Sequence, residues 1–153
     1  MNYPFDLGDY SRPVSSDAAA QAWFDRGMVW LFAYNHEEAI VCFQHAVSAD
    51  DTLALAYWGI AYAIGPNYNK PWDVFSPEAK APALAKAHAA LANGRKVAHD
   101  PVSKALLTAL NDRYPTDPCV SDYQPFNDSF ADAMRPIHEQ FPDDLDVACI
   151  FAE

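Results

Sequence analysis

Basic residues, cysteines and motifs of known chemistry are all scarce in this sequence. Lys and Arg total 10 against 21 Asp and Glu, which gives a formal net charge of −11. This balance argues against nucleic-acid binding, which needs a basic surface, and against docking on anionic lipid. The three cysteines are too few and too scattered for a disulfide scaffold, and no CxxC pair suggests structural zinc.

Leader and membrane-spanning patterns are absent as well. The residues after Met1 form neither the basic stretch nor the apolar core of a signal peptide. The longest apolar stretches are interrupted by Asp, His or Glu, so no membrane span is predicted. Together with the low cysteine content, these features predict a cytoplasmic protein.

Apolar residues, by contrast, make up 51% of the chain, and alanine is abundant. Gly and Pro fall in clusters, and the alternation typical of strands never persists beyond a few residues. The pattern predicts an all-α fold of about seven helices over 15–153, after an extended arm over 1–14. The predicted helices cover 17–34, 36–49, 52–64, 76–97, 101–114, 127–141 and 145–153, with a kink or restart at Pro82.

A regular spacing of small and large residues runs through the first two predicted helices. It is formed by Trp23, Gly27, Ala39, Phe43 and Ala46. The small residues let two antiparallel helices approach closely, and the large ones fill the space between them. Residues 17–50 resemble one tetratricopeptide repeat, and residues 54–64 resemble the first helix of a second repeat.

Beyond residue 64 the resemblance weakens, because the loop over 65–76 delays the next helix. Directly after the first unit, Asp51 stands where the repeat usually has Pro. The last predicted helix, 145–153, is apolar and has no stop signal, so we expect the chain to be an N-terminal portion of a longer tetratricopeptide protein. The resemblance implies an antiparallel helix-pair α-solenoid with degenerate later repeats.

Tetratricopeptide proteins bind peptides on the concave face made by the first helix of each pair. The resemblance therefore implies a non-catalytic interaction scaffold that binds an apolar or aromatic segment of a protein partner, with self-association through exposed helix ends as another option. The predicted groove residues are Phe24, Asp25, Met28, Phe32, Trp58, Tyr62, Asn67 and Asn69. Alternatively, the arm or the later helices fill this groove within the chain.

A second hypothesis is a small-molecule- or metal-binding protein, or an enzyme, with an aromatic pocket enclosed by the helices. Its rim would be formed by Asn67, Tyr68, Asn69, Trp72, Trp58, Tyr62 and His36. The candidate metal ligands are His36, Cys42 and His45, although three ligands from one helix and its cap are geometrically awkward. No nucleotide-binding or hydrolase motif is found, so we predict no cofactor and no catalytic residue.

Overall fold

The computed structural model describes residues 3–153, and its regular structure is helical. The α-helices are α1 (Ala18–Phe32), α2 (His36–Ala49), α3 (Ala54–Ile64), α4 (Pro77–Val97), α5 (Pro101–Asp112), α6 (Gln124–Gln140) and α7 (Leu145–Ala152). One 3₁₀ helix, Trp72–Val74, lies between α3 and α4. Residues 3–153 contain no β-strand, so the predicted all-α class is confirmed.

Side chains cap several of the helix N-termini. Asp17 accepts hydrogen bonds from the amides of the first turn of α1, and Asp100 does the same for α5. At α2, Asn35 accepts from the Glu38 amide. The sequence Asn35–Glu38 also allows the reciprocal bond of a capping box, from the Asn35 amide to the Glu38 carboxylate, but that amide bonds to the Trp30 carbonyl and the carboxylate accepts from the Tyr3 hydroxyl.

Two proline positions differ from the sequence prediction. The restart predicted as one option at Pro82 is not found, because α4 is continuous through that residue. The helix α6 begins at Gln124, before the start of the helix predicted over 127–141, with Pro125 in its first turn. A first-turn proline costs no helical hydrogen bond, because the N–H that it lacks has no partner within the helix.

Each helix packs against the next one along the chain, and α3 also contacts α1 and α5. The small residues Ala39 and Ala46 of α2 are fully buried. The buried Phe43 ring fills the space between α1 and α3. This packing gives one continuous apolar core.

The N-terminal arm, described from residue 3 onward, packs on two separate parts of the fold. Near its start, the Tyr3 hydroxyl accepts a hydrogen bond of 2.6 Å from Nε1 of Trp30 in α1. Further along, Arg12 donates two hydrogen bonds of 2.7 Å to Asp144 and one of 2.8 Å to Asp146. The arm therefore links α1 to the N-terminus of α7.

Among residues 3–153, no helix combines the length and the apolar character that a membrane crossing requires.

Candidate functional site

The face shared by α1 and α3, which we call the α1–α3 face, is buried. Relative exposures are 1% for Phe24, 2% for Met28, 1% for Trp58 and 3% for Tyr62. Arg12 of the arm, together with Asp146 and Ile150 of α7, joins these helices around a void of about 10 Å³, near the size of one water molecule. An open apolar groove at this face is therefore not found, because later helices and the arm cover it.

The remaining predicted groove residues lie elsewhere or have other partners. One carboxylate oxygen of Asp25 accepts hydrogen bonds from the Arg12 amide and the Gln21 side chain. Phe32, with 37% exposure, lies near the end of α1. Asn67 lies at a separate cavity, and Asn69 is exposed in the adjoining turn.

That cavity has a volume of about 730 Å³, within the range typical of small-molecule sites. The loop after α3, the segment leading into α6 and the end of α7 surround it. We call it the aromatic cavity, since six aromatic side chains line it. These are Tyr62, Tyr68, Trp72, Tyr123, Phe130 and Phe151.

Polar side chains are distributed unevenly around the aromatic cavity. Three exposed acidic residues, Asp73, Asp122 and Glu153, are among its lining residues. The one basic residue among the described lining residues is Arg113, which is partly buried. The lining therefore combines one partly buried positive charge with three exposed negative charges.

The loop between α3 and α4 forms one wall of the aromatic cavity. A hydrogen-bonded turn and a ring-stacking contact hold it in place. Near its start, the Asn67 side chain accepts hydrogen bonds from the amides of Asn69 and Lys70, which makes a tight turn with Tyr68 exposed at its tip. Further along, the buried Trp72 ring stacks on Tyr123, with 5.3 Å between ring centroids. The stacking ties this loop to the N-terminus of α6.

Tyr62 links the aromatic cavity to the core. Its ring lies 4.9 Å from that of Trp58, and its hydroxyl donates a 2.7 Å hydrogen bond to Glu153. Burial raises the pKa of the Tyr62 hydroxyl, and the neighbouring Glu153 carboxylate raises it further. Tyr62 therefore stays protonated at neutral pH and acts as a hydrogen-bond donor.

The candidate metal ligands do not converge. The His45 ring stacks on Trp23 at 4.5 Å, whereas the buried Cys42 has its sulfur 3.7 Å from the Tyr3 hydroxyl. His36 lies at the opposite end of α2, where burial lowers its pKa. Within residues 3–153, no group of three or more His, Cys, Asp or Glu side chains is arranged to hold a metal ion.

The structure brings four of the predicted rim residues to the aromatic cavity, namely Tyr62, Asn67, Tyr68 and Trp72. Trp58, Asn69 and His36 are not part of its lining. Sequence reasoning missed Arg113 and three of the aromatic lining residues, Tyr123, Phe130 and Phe151. The sequence feature that could have drawn attention to Arg113 is its position beside Tyr114 in a chain with few basic residues.

Comparisons of this chain with protein-family models, with curated proteins and with solved structures gave no match.

Proposed function

We propose that this protein is a helix-pair repeat protein of tetratricopeptide type that binds a small organic molecule in its aromatic cavity. The fold part of the proposal is supported by the order of packing. Each helix contacts its successor, and α1, α3 and α5 contact one another in series, as the first helices of successive pairs do in a solenoid.

The binding part of the proposal depends on one observation, which is the 730 Å³ cavity lined by six aromatic rings. Ligand sites are typically concave and apolar, with a few polar groups that fix orientation. Here the Arg113 guanidinium and the amides of Asn67 and Asn127 supply such groups. The cavity is large enough for a ligand with one or two rings.

Peptide binding at the α1–α3 face is not part of this proposal. Phe24 and Trp58 are each 1% exposed, so a partner would first have to displace α7 and the arm. Such displacement would also break the hydrogen bonds between Arg12 and Asp144. The aromatic cavity needs no such rearrangement.

Binding can be tested with ring-containing fragments, screened by saturation-transfer NMR against the whole chain. The Ala131→Phe substitution places a ring in the cavity lining, whereas Ser129→Phe places the same ring on an exposed site of α6 outside that lining. We expect Ala131→Phe to abolish binding of the hits and Ser129→Phe to preserve it. Equal binding by both variants, or no hit at all, would contradict the proposal.

A further inference from the structure

Arg113 directly follows α5, in the wall of the aromatic cavity. Its guanidinium carbon lies 4.9 Å from the centroid of the Phe130 ring and 5.7 Å from that of Tyr62. These cation–π contacts hold the guanidinium against the aromatic wall.

No carboxylate of residues 3–153 pairs with Arg113. The ion pairs within 4.0 Å in this part of the chain are those of Arg12 with Asp144 and Asp146. The Arg113 Nε is also buried without a hydrogen-bond partner. Buried polar groups are normally hydrogen-bonded, so a buried guanidinium nitrogen without a partner needs an explanation.

The lining of the cavity contains two further unsatisfied polar atoms, Trp72 Nε1 and the Tyr123 hydroxyl. Both are buried, so a ligand reaches them only after side chains move. Like the Arg113 Nε, both atoms can donate a hydrogen bond. The lining therefore suits a ligand that is rich in acceptors.

We infer that Arg113 binds the carboxylate of an aromatic monocarboxylic acid, whose ring packs among the aromatic side chains of the cavity. A carboxylate accepts two parallel hydrogen bonds from a guanidinium. It would also neutralise the positive charge of Arg113 more fully than the surrounding aromatic rings do. The inference rests on the proposed ligand-binding function of the aromatic cavity and names the class of ligand.

The acidic residues of the cavity lining limit the ligand to one carboxylate. Asp73, Asp122 and Glu153 are all exposed to solvent. A ligand with a second carboxylate at its outer end would meet like charges, whereas an uncharged or basic outer end would not. Dicarboxylic acids are thus expected to bind more weakly than monocarboxylic acids of the same size.

The test measures the affinities of 3-phenylpropionate, 3-phenylpropionamide and 3-phenylpropylamine by NMR titration of the whole chain. These probes share a ring and a linker but differ in charge. We expect the carboxylate to bind about tenfold or more tightly than the amide, and the amine to bind most weakly. In Arg113→Gln, the carboxylate and the amide should bind equally.

The Arg113→Lys variant retains the cation, and it should preserve part of the preference for the carboxylate. It also keeps the test decisive if Arg113→Gln does not fold. Wild-type binding of the amide or amine as tight as that of the carboxylate would overturn the assignment to Arg113 and leave ligand binding intact. Failure of all three probes to bind would overturn the proposed function together with this inference.

Discussion

The Phe43 ring lies between two glycines, Gly27 of α1 and Gly59 of α3. A Cβ atom built on Gly27 would approach the ring to 2.6 Å, and one built on Gly59 would approach it to 2.5 Å. Real Cβ contacts are essentially never shorter than 3.0 Å, so neither position accepts a methyl group unless Phe43 moves. The helices α1, α2 and α3 thus pack tightly around the ring of Phe43.

Substitution of either glycine by alanine is expected to destabilise the fold. Overpacking at Gly59→Ala should lower the free energy of unfolding by about 1–3 kcal/mol, and Gly27→Ala should have a similar effect. Urea denaturation measures both. In the matched background Phe43→Leu, the penalty of each alanine should shrink, and an unchanged penalty there would show that the ring is not the obstacle.

The contact between Arg12 and Asp144 is expected to fasten α7 and to depend on pH. Burial alone raises the pKa of the Asp144 carboxyl, but the hydrogen bonds from Arg12 and the Val147 amide lower it below its ordinary value. The stabilisation is then fully present above the unfolded-state pKa of about 3.9 and is lost as pH falls through the lower folded-state value.

Asp144→Asn should therefore reduce the free energy of unfolding by about 1–3 kcal/mol at pH 7, since it leaves Arg12 partly buried with one ionic partner fewer. The difference from wild type should narrow in acid, because protonation removes the same charge from the native residue. Denaturation at pH 7 and pH 3 measures this. An equal difference at both pH values would contradict the role of the Asp144 charge.

A hydrogen bond from the Tyr114 hydroxyl to the Ala61 carbonyl, 2.8 Å long and buried, completes the C-terminus of α3. The Gly65 amide bonds to Tyr62 and leaves this Ala61 carbonyl without its helical donor. Tyr114→Phe should lower the free energy of unfolding by about 1–3 kcal/mol, because it leaves the buried Ala61 carbonyl without a hydrogen-bond donor. A thermal midpoint equal to that of wild type would show that the carbonyl finds another donor.

Tyr34 ends α1 with a positive φ of 61°, a conformation that glycine adopts far more easily. Its amide bonds to the Leu31 carbonyl, and the Asn35 amide bonds to that of Trp30. Because this geometry favours glycine, Tyr34→Gly should raise the free energy of unfolding by up to about 1 kcal/mol. Tyr34→Ala is the control for loss of the ring, and it should not stabilise the protein.

The helices were predictable because local signals specify them. Asp17, Asn35 and Asp100 cap their helices, and Gly27, Ala39 and Phe43 show from their spacing alone how α1 and α2 pack. Proline was harder to interpret, since the sequence did not distinguish a first-turn Pro125 from a loop residue. Proline is compatible with both positions.

The candidate site was predictable only in part. The unusual length of the loop over 65–76 pointed to Asn67, Tyr68 and Trp72. Arg113 and Phe130 reach the same cavity from α5 and α6, and that approach depends on tertiary packing, which has no local pattern. Closure of the α1–α3 face depends likewise on Arg12 and Asp144, which are 132 residues apart.

The most direct test of this account is to locate bound 3-phenylpropionate on the isotope-labelled protein by chemical-shift perturbation. We expect the largest shifts at the aromatic cavity, around Tyr62, Arg113 and Phe130, with the α1–α3 face unaffected. Shifts centred on Phe24, Met28 and Trp58 instead would show that the α1–α3 face is the binding surface and would contradict the account.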